Sequence, residues 1–164
     1  MFKKRICMLG AYGVGKTSLV KRYVESIFSD SYLTTVGVNV QKKTVVAGGT
    51  EVILMLWDLA GEDSVNQVRM SHLRGAAAYI LVVDGTRSES LDVALELHKK
   101  AREVLGEVPF LLVINKVDLI EQWEIQPATL EQLSEEGWPL FRASAKTAAG
   151  VDELFLNLAL RMIS

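Results

Sequence analysis

Gly10-Ala11-Tyr12-Gly13-Val14-Gly15-Lys16-Thr17 follows the apolar run Ile6-Cys7-Met8-Leu9 and leads into a helix-period segment, Thr17 to Ile27. A strand, a glycine-rich loop and a helix in that order form a cradle for phosphate. The glycines let backbone N–H groups turn inward around anionic oxygens. Lys16 supplies a compact positive charge, and the Thr17 hydroxyl is a ligand for Mg²⁺. The helix that begins here also points its positive dipole end at the same place. Tyr12, Gly13, Val14, Gly15, Lys16, Thr17 and Ser18 are therefore the candidate phosphate-binding residues.

Outward from this loop, apolar runs alternate with helical segments. Val38 to Ala47 alternates in polarity, Gly48-Gly49 reads as a hairpin turn, and Val52 to Trp57 returns. Tyr79 to Val83, Phe110 to Ile114 and the short Leu140-Phe141 are further strands. Leu91 to Leu105, Ala128 to Glu136 and Val151 to Ile163 are further helices. Val151, Leu154, Phe155, Leu158 and Met162 make one apolar stripe that core packing explains. This is an α/β pattern: a six-stranded, mostly parallel sheet with one antiparallel edge strand and helices on both faces. Ligands of such sheets bind beyond the carboxyl ends of the strands.

Three further motifs sit at those ends. In Trp57-Asp58-Leu59-Ala60-Gly61, an aspartate closing a strand can hold Mg²⁺, usually through a water, and the Gly61 amide can sense a terminal phosphate. In Asn115-Lys116-Val117-Asp118, the Asp118 carboxylate offers two coplanar acceptors. Guanine presents two adjacent donors to such a group and adenine presents no such pair, so Asp118 selects guanine. The Lys116 stem can lie along the base face. In Ser144-Ala145-Lys146, a backbone N–H can meet the guanine carbonyl oxygen.

These motifs, in this order and spacing, resemble the Ras superfamily of small GTPases across essentially the whole chain. Thr35-Val36-Gly37-Val38, Trp57-Asp58 and His72-Leu73-Arg74-Gly75-Ala76 are most similar to the Rab-like branch. The resemblance implies a P-loop NTPase fold in one domain over residues 1–164. It also implies a GTP/GDP- and Mg²⁺-dependent switch that hydrolyses GTP. By this resemblance Thr35 is a second Mg²⁺ ligand beside Thr17 and Asp58, Phe28 lies against the guanine and Tyr32 closes over the phosphates. Segments 29–37 and 59–74 become two switches, ordered by the γ-phosphate, that meet effector and regulator proteins. Val40, Trp57 and Leu73 would form an apolar patch beside them, a surface suited to a partner unless Trp57 is core.

Two positions depart from the family pattern. A Gln usually follows Asp-x-Ala-Gly and orients the attacking water, and here that residue is Glu62. A carboxylate accepts the water's proton but cannot donate to phosphoryl oxygens, and it brings negative charge toward a negative phosphate. Where the family has a small residue, this chain has Tyr12, whose side chain would project into the space used by an arginine finger. Segment 29–37 contains no Arg to supply one in cis. Lys16, Gly61, Glu62 and Tyr12 are thus the candidate catalytic residues. Slow hydrolysis is expected, with a pseudo-GTPase that only holds nucleotide as the alternative.

Composition is consistent with this. The chain has 164 residues, 49% hydrophobic and 23% charged, with a net charge of −2. That balance argues for a globular domain and against nucleic acid or an anionic membrane as the main partner. Lys3-Lys4-Arg5 reads as the polar lead-in to a strand. The single cysteine, Cys7, reads as a buried structural thiol in a reducing, cytoplasmic setting. Neither His72 nor His98 has neighbours at metal-ligand spacing, and Glu131, Glu135 and Glu136 read as a solvated helix face. No terminal cysteine is present for a lipid anchor. This fits a prokaryotic protein, a soluble regulator or a shortened chain, with a monomer expected.

Overall fold

The computed structural model describes residues 2–25, 39–59 and 68–163, leaving out the side chain of Met70. Six strands form one sheet in the order β2-β3-β1-β4-β5-β6. They are β1 (Phe2–Leu9), β2 (Asn39–Ala47), β3 (Thr50–Asp58), β4 (Ala78–Asp84), β5 (Phe110–Asn115) and β6 (Leu140–Arg142). The helices are α1 (Lys16–Glu25), α2 (Met70–Leu73), α3 (Ser88–Leu105), α4 (Pro127–Glu135) and α5 (Val151–Ile163), with a 3-10 segment at Val117–Gln122. Among the described residues no helix is long and apolar enough to cross a membrane.

Every strand pair is parallel except β2 with β3. That pair is joined at Gly48 (φ +56) and Gly49 (φ +79), the two left-handed positions a tight hairpin turn demands. The order places β3 and β4 on opposite sides of β1, so the chain reverses direction across the sheet beside Leu9. That reversal opens the crevice in which doubly wound sheets bind ligands, and the glycine-rich loop starts there.

The central strands are apolar on both faces because both faces are covered. On one face Ile6 and Met8 of β1 join Leu54, Leu56, Ile80 and Val82 beneath α1 and α5. Tyr23 of α1 stacks on Phe155 of α5 with ring centroids 4.0 Å apart. On the other face Cys7 and Leu9 join Tyr79, Leu81 and Val83 beneath α3 and α4. Cys7 is fully buried, as the sequence suggests, and its thiol donates to the His72 carbonyl at 3.2 Å.

The elements differ from the sequence expectation in instructive ways. Helix α3 begins at Ser88, before the apolar period starts at Leu91, because the Ser88 amide donates to the Glu124 carboxylate at 3.0 Å. That capping oxygen comes from 36 residues away, so no local signal announces it. Lys3-Lys4-Arg5 is part of β1 itself. The Arg5 guanidinium lies 3.5 Å from the Trp57 ring centroid and donates to the His72 carbonyl at 2.5 Å.

At the end of the sheet away from the loop, Tyr79, His98, Phe110 and Trp138 make an aromatic cluster. The Tyr79 and Phe110 rings stack at 5.3 Å, and His98 lies 4.6 Å from Phe110 and 4.7 Å from Trp138. Tyr79 Oη sits 3.0 Å from His98 Nδ1, within hydrogen-bonding distance. Burial pushes the Tyr79 hydroxyl up to about 12, and burial followed by the nearby Arg102 charge holds His98 below its ordinary value. The fold therefore favours neutral His98. Its contribution to stability is complete above the unfolded value, about 6.5, and is lost as pH falls from there toward the folded value. The melting temperature of the wild type should fall more steeply than that of His98→Phe between about pH 7 and pH 5. Parallel slopes in calorimetry would remove this role.

Candidate functional site

The site is built at the carboxyl ends of β1, β3, β4, β5 and β6. In the loop after β1, Gly13 (φ +75) and Gly15 (φ +103) adopt left-handed conformations, and Val14 between them is fully buried. At Gly15 a side chain is excluded twice. Its φ is strained for any L-residue, and an added Cβ would lie 2.3 Å from Asn115 Nδ2. Lys16 is 6% exposed, and its ammonium donates back to the Gly10 carbonyl at 2.6 Å, bridging the loop. Helix α1 starts at this lysine, with the Leu19 amide donating to the Gly15 carbonyl at 2.9 Å. Ser18 follows in the first turn.

The Thr17 hydroxyl donates to Asp58 Oδ2, bringing the loop and the end of β3 together. Asp58 is fully buried. A hydroxyl and a carboxylate in direct contact are hard oxygen donors of the kind Mg²⁺ takes, so this pair fits that ion.

The residues expected to read a base follow β5. Asn115 is 2% exposed. Its Nδ2 donates to the Val14 carbonyl at 3.0 Å and its Oδ1 accepts from the Ala145 amide at 3.3 Å. Lys116 takes the left-handed conformation at φ +72. Its ammonium pairs with Asp84 Oδ2 at 2.8 Å and lies 3.5 Å from the Gly13 carbonyl. Its own carbonyl accepts from Trp123 Nε1 at 2.9 Å. The Trp123 ring lies against Gly85, whose carbonyl takes the Glu124 and Ile125 amides at 3.0 and 3.3 Å. Asp118 is exposed, with one carboxylate oxygen gripped by the Ser144 hydroxyl at 2.7 Å. The Ser144 amide donates to the Ala149 carbonyl at 2.9 Å and the Ala145 amide serves Asn115. At Ser144-Ala145-Lys146, where a backbone N–H is expected to meet a base oxygen, the Ser144 and Ala145 amides thus have structural work.

Phe28, Tyr32, Thr35, Gly61 and Glu62 lie outside the described residues, as do all of 29–37 and, within 59–74, residues 60–67. Tyr12 is 56% exposed. The expected patch of Val40, Trp57 and Leu73 needs correction at its last member. Leu73 is 1% exposed and belongs to the core under α3, because the single turn of α2 aims it inward. Next to Trp57, in addition to Arg5, lies His72, with ring centroids 6.3 Å apart, and Val40 is 40% exposed.

Three functional neighbours escape a motif reading. Arg22 on α1 donates from Nε to the Ala145 carbonyl and from Nη2 to the Lys146 carbonyl, both at 2.7 Å. It joins α1, which begins at Lys16, to the loop after β6. Arg87 comes from the β4–α3 connection and Asp84 from the end of β4. Asp84 had a legible signal, since Val82-Val83-Asp84 repeats the strand-closing aspartate of Leu56-Trp57-Asp58.

Residues 5–164 match the Ras family. The chain belongs to the Ras family. Relatives include the human Ras-related protein Rab-30, 37% identical over 165 residues, covering 99% of this chain and 81% of that protein. Mouse Ras-related protein Rab-12 is 36% identical over 160 residues, covering 96% and 66%. Mouse Ras-related protein Rab-21 is 35% identical over 161 residues, covering 97% and 72%. Ras-family proteins are GTP-binding switches with the P-loop NTPase fold, and the six-stranded sheet with one antiparallel pair is that fold.

Gly15→Ala tests the joint between the two halves of this Ras-family site. The added methyl must displace Asn115 or distort the loop, so stability should fall by about 2–4 kcal/mol in urea unfolding. A loss below about 0.5 kcal/mol would show that the loop relaxes without cost.

Proposed function

We propose that this chain is a Mg²⁺-dependent guanine-nucleotide switch that hydrolyses GTP slowly. The observation that carries the reading is the double tie of Asn115, to the Val14 carbonyl of the phosphate loop and the Ala145 amide of the loop after β6. One buried side chain fixes the phosphate cradle against the base-reading loop, so a ligand with both parts is recognised as a unit. Lys16 and the N-terminus of α1 meet the phosphates, Thr17 and Asp58 hold the metal, and Asp118 reads the base. Thr35 is the ligand through which the first switch senses the third phosphate. Bound Mg²⁺ supplies neutralisation of phosphate charge. Segments 29–37 and 59–74 present the nucleotide state to effector and regulator proteins, and relatives named as Rab proteins support that use.

Slow turnover rests on two residues. Glu62 accepts a proton from water but offers no donor to the phosphoryl oxygens. Tyr12 carries an exposed ring on the loop that approaches the reacting phosphate, in the space an external guanidinium would enter. These same residues sustain the second reading, a module that holds guanine nucleotide without turnover.

Single-turnover phosphate release separates the two. A rate on the order of 10⁻⁴ to 10⁻³ s⁻¹ is expected, and a rate above about 10⁻² s⁻¹ would overturn slow hydrolysis. No release over a day establishes the holding module. Glu62→Gln and Tyr12→Gly, measured separately, identify which residue limits the step. Competition assigns the base. GTP should displace a labelled guanine nucleotide at least about a hundredfold better than ATP, and the inosine analogue, lacking the exocyclic amine, should fall between. Equal potency of GTP and ATP would remove Asp118 as the selector.

A further inference from the structure

The connection between β4 and α3 reaches the phosphate loop directly. Arg87 Nη1 donates to the Tyr12 carbonyl at 2.6 Å, across 75 residues of chain. The guanidinium is itself held, since its Nε donates to Glu89 Oε1 at 2.9 Å. The backbone of Arg87 is fixed from both sides. Its amide donates to the Asp84 carbonyl at 3.0 Å, and its carbonyl accepts from the Ser90 hydroxyl at 2.6 Å. Asp84 is 1% exposed, and its Oδ1 accepts from the Thr86 amide at 2.9 Å and the Thr86 hydroxyl at 2.7 Å. This is a built arm ending in a cation.

The carbonyl that Arg87 holds is chemically significant. A peptide unit is planar and trans, so its C=O and N–H point in opposite directions. The Tyr12 carbonyl and the Gly13 N–H belong to one such unit. Fixing the carbonyl toward Arg87 aims the Gly13 N–H the other way, and Gly13 is one of the residues that cradle phosphate in the function proposed above. The next carbonyl, Gly13 O, faces the Lys116 ammonium at 3.5 Å, and Asp84 holds that lysine. Successive carbonyls of the outer turn therefore face two cations, and the carboxylates paired to them flank the same short connection, Asp84 at the end of β4 and Glu89 in the first turn of α3.

We propose that Arg87 is a positioning residue for the phosphate loop, which orients the Tyr12–Gly13 peptide for phosphate and thereby sets how long nucleotide is retained. The residue acts through the backbone and touches no reacting atom. It also provides a hold on the loop at Tyr12, the position where this chain departs from the small residue usual in the family. The proposal rests on guanine-nucleotide binding as read above.

The test is release of a fluorescent guanosine diphosphate from the Mg²⁺-loaded full chain, with guanosine competition alongside. Arg87→Ala should speed release of the diphosphate by about tenfold, the loss expected for one charge-assisted hydrogen bond, and leave guanosine affinity within about twofold. Arg87→Lys should recover part of the retention, because an ammonium can reach the carbonyl without the second bond to Glu89. Hydrogen exchange of the 10–16 peptide should rise in Arg87→Ala and stay lower in Arg87→Lys. If Arg87→Ala does not fold, Arg87→Lys against the wild type gives the same comparison with a smaller effect. Unchanged diphosphate release would overturn the proposal, and so would equal loss of guanosine and diphosphate, the signature of general loosening. A wild type that retains no guanosine diphosphate would instead remove the proposed function, and the inference with it.

Discussion

The buried amide of Asn115 is the constraint on which the site depends. The β5 strand delivers it, 2% exposed, to a point where the phosphate loop and the loop after β6 both come within hydrogen-bonding distance. An amide is suited to this position because it donates and accepts at once, and a carboxylate or an amine would leave one neighbour unsatisfied. A buried unpaired backbone group costs about 1–3 kcal/mol, so each loop has reason to stay where Asn115 puts it. The absence of a side chain at Gly15 is the other half of the same fit, since the amide occupies the space a Cβ would take.

Around that tie the molecule gathers four arginine or lysine side chains that reach backbone carbonyls. Lys16 closes on Gly10, Lys116 approaches Gly13, Arg87 reaches Tyr12, and Arg22 holds both Ala145 and Lys146. Loops that turn their amides toward an anion leave carbonyls facing outward, and cationic side chains are the strongest neutral-pH donors available to them. The result is a set of loops positioned by side chains from rigid strands and helices.

Most of the architecture was legible because its signals are local. The apolar run before Gly10, the Gly48-Gly49 turn and the stripe from Val151 to Met162 each announce an element within a dozen residues. Asn115 to Asp118 was legible for the same reason. Contacts that span the chain were not. Arg22 and Arg87 meet their partners 123 and 75 residues away, and nothing beside either residue marks it. Trp57 was readable only as an alternative between core and surface. Its actual state is a ring covered by the Arg5 guanidinium, an arrangement that takes one residue from each of two neighbouring strands. Leu73 leaves the expected patch for the core because one turn of helix decides which of two adjacent residues faces inward.

The indole of Trp123 occupies the volume a methyl group would need at Gly85, with ring atoms 2.2 to 2.5 Å from the Cβ position. That makes Gly85 a keyhole, and the segment after Asp118 is locked by insertion of a ring as well as by its hydrogen bonds. The lysine that precedes the lock stands in a left-handed conformation that an isolated peptide would rarely hold. A mutational path that put any side chain at position 85 would evict the indole and free Lys116 to relax. The geometry of the Asn115–Asp118 end of the site thus hangs on a gap just past the end of β4, and tolerance of change at position 85 is a property of that loop.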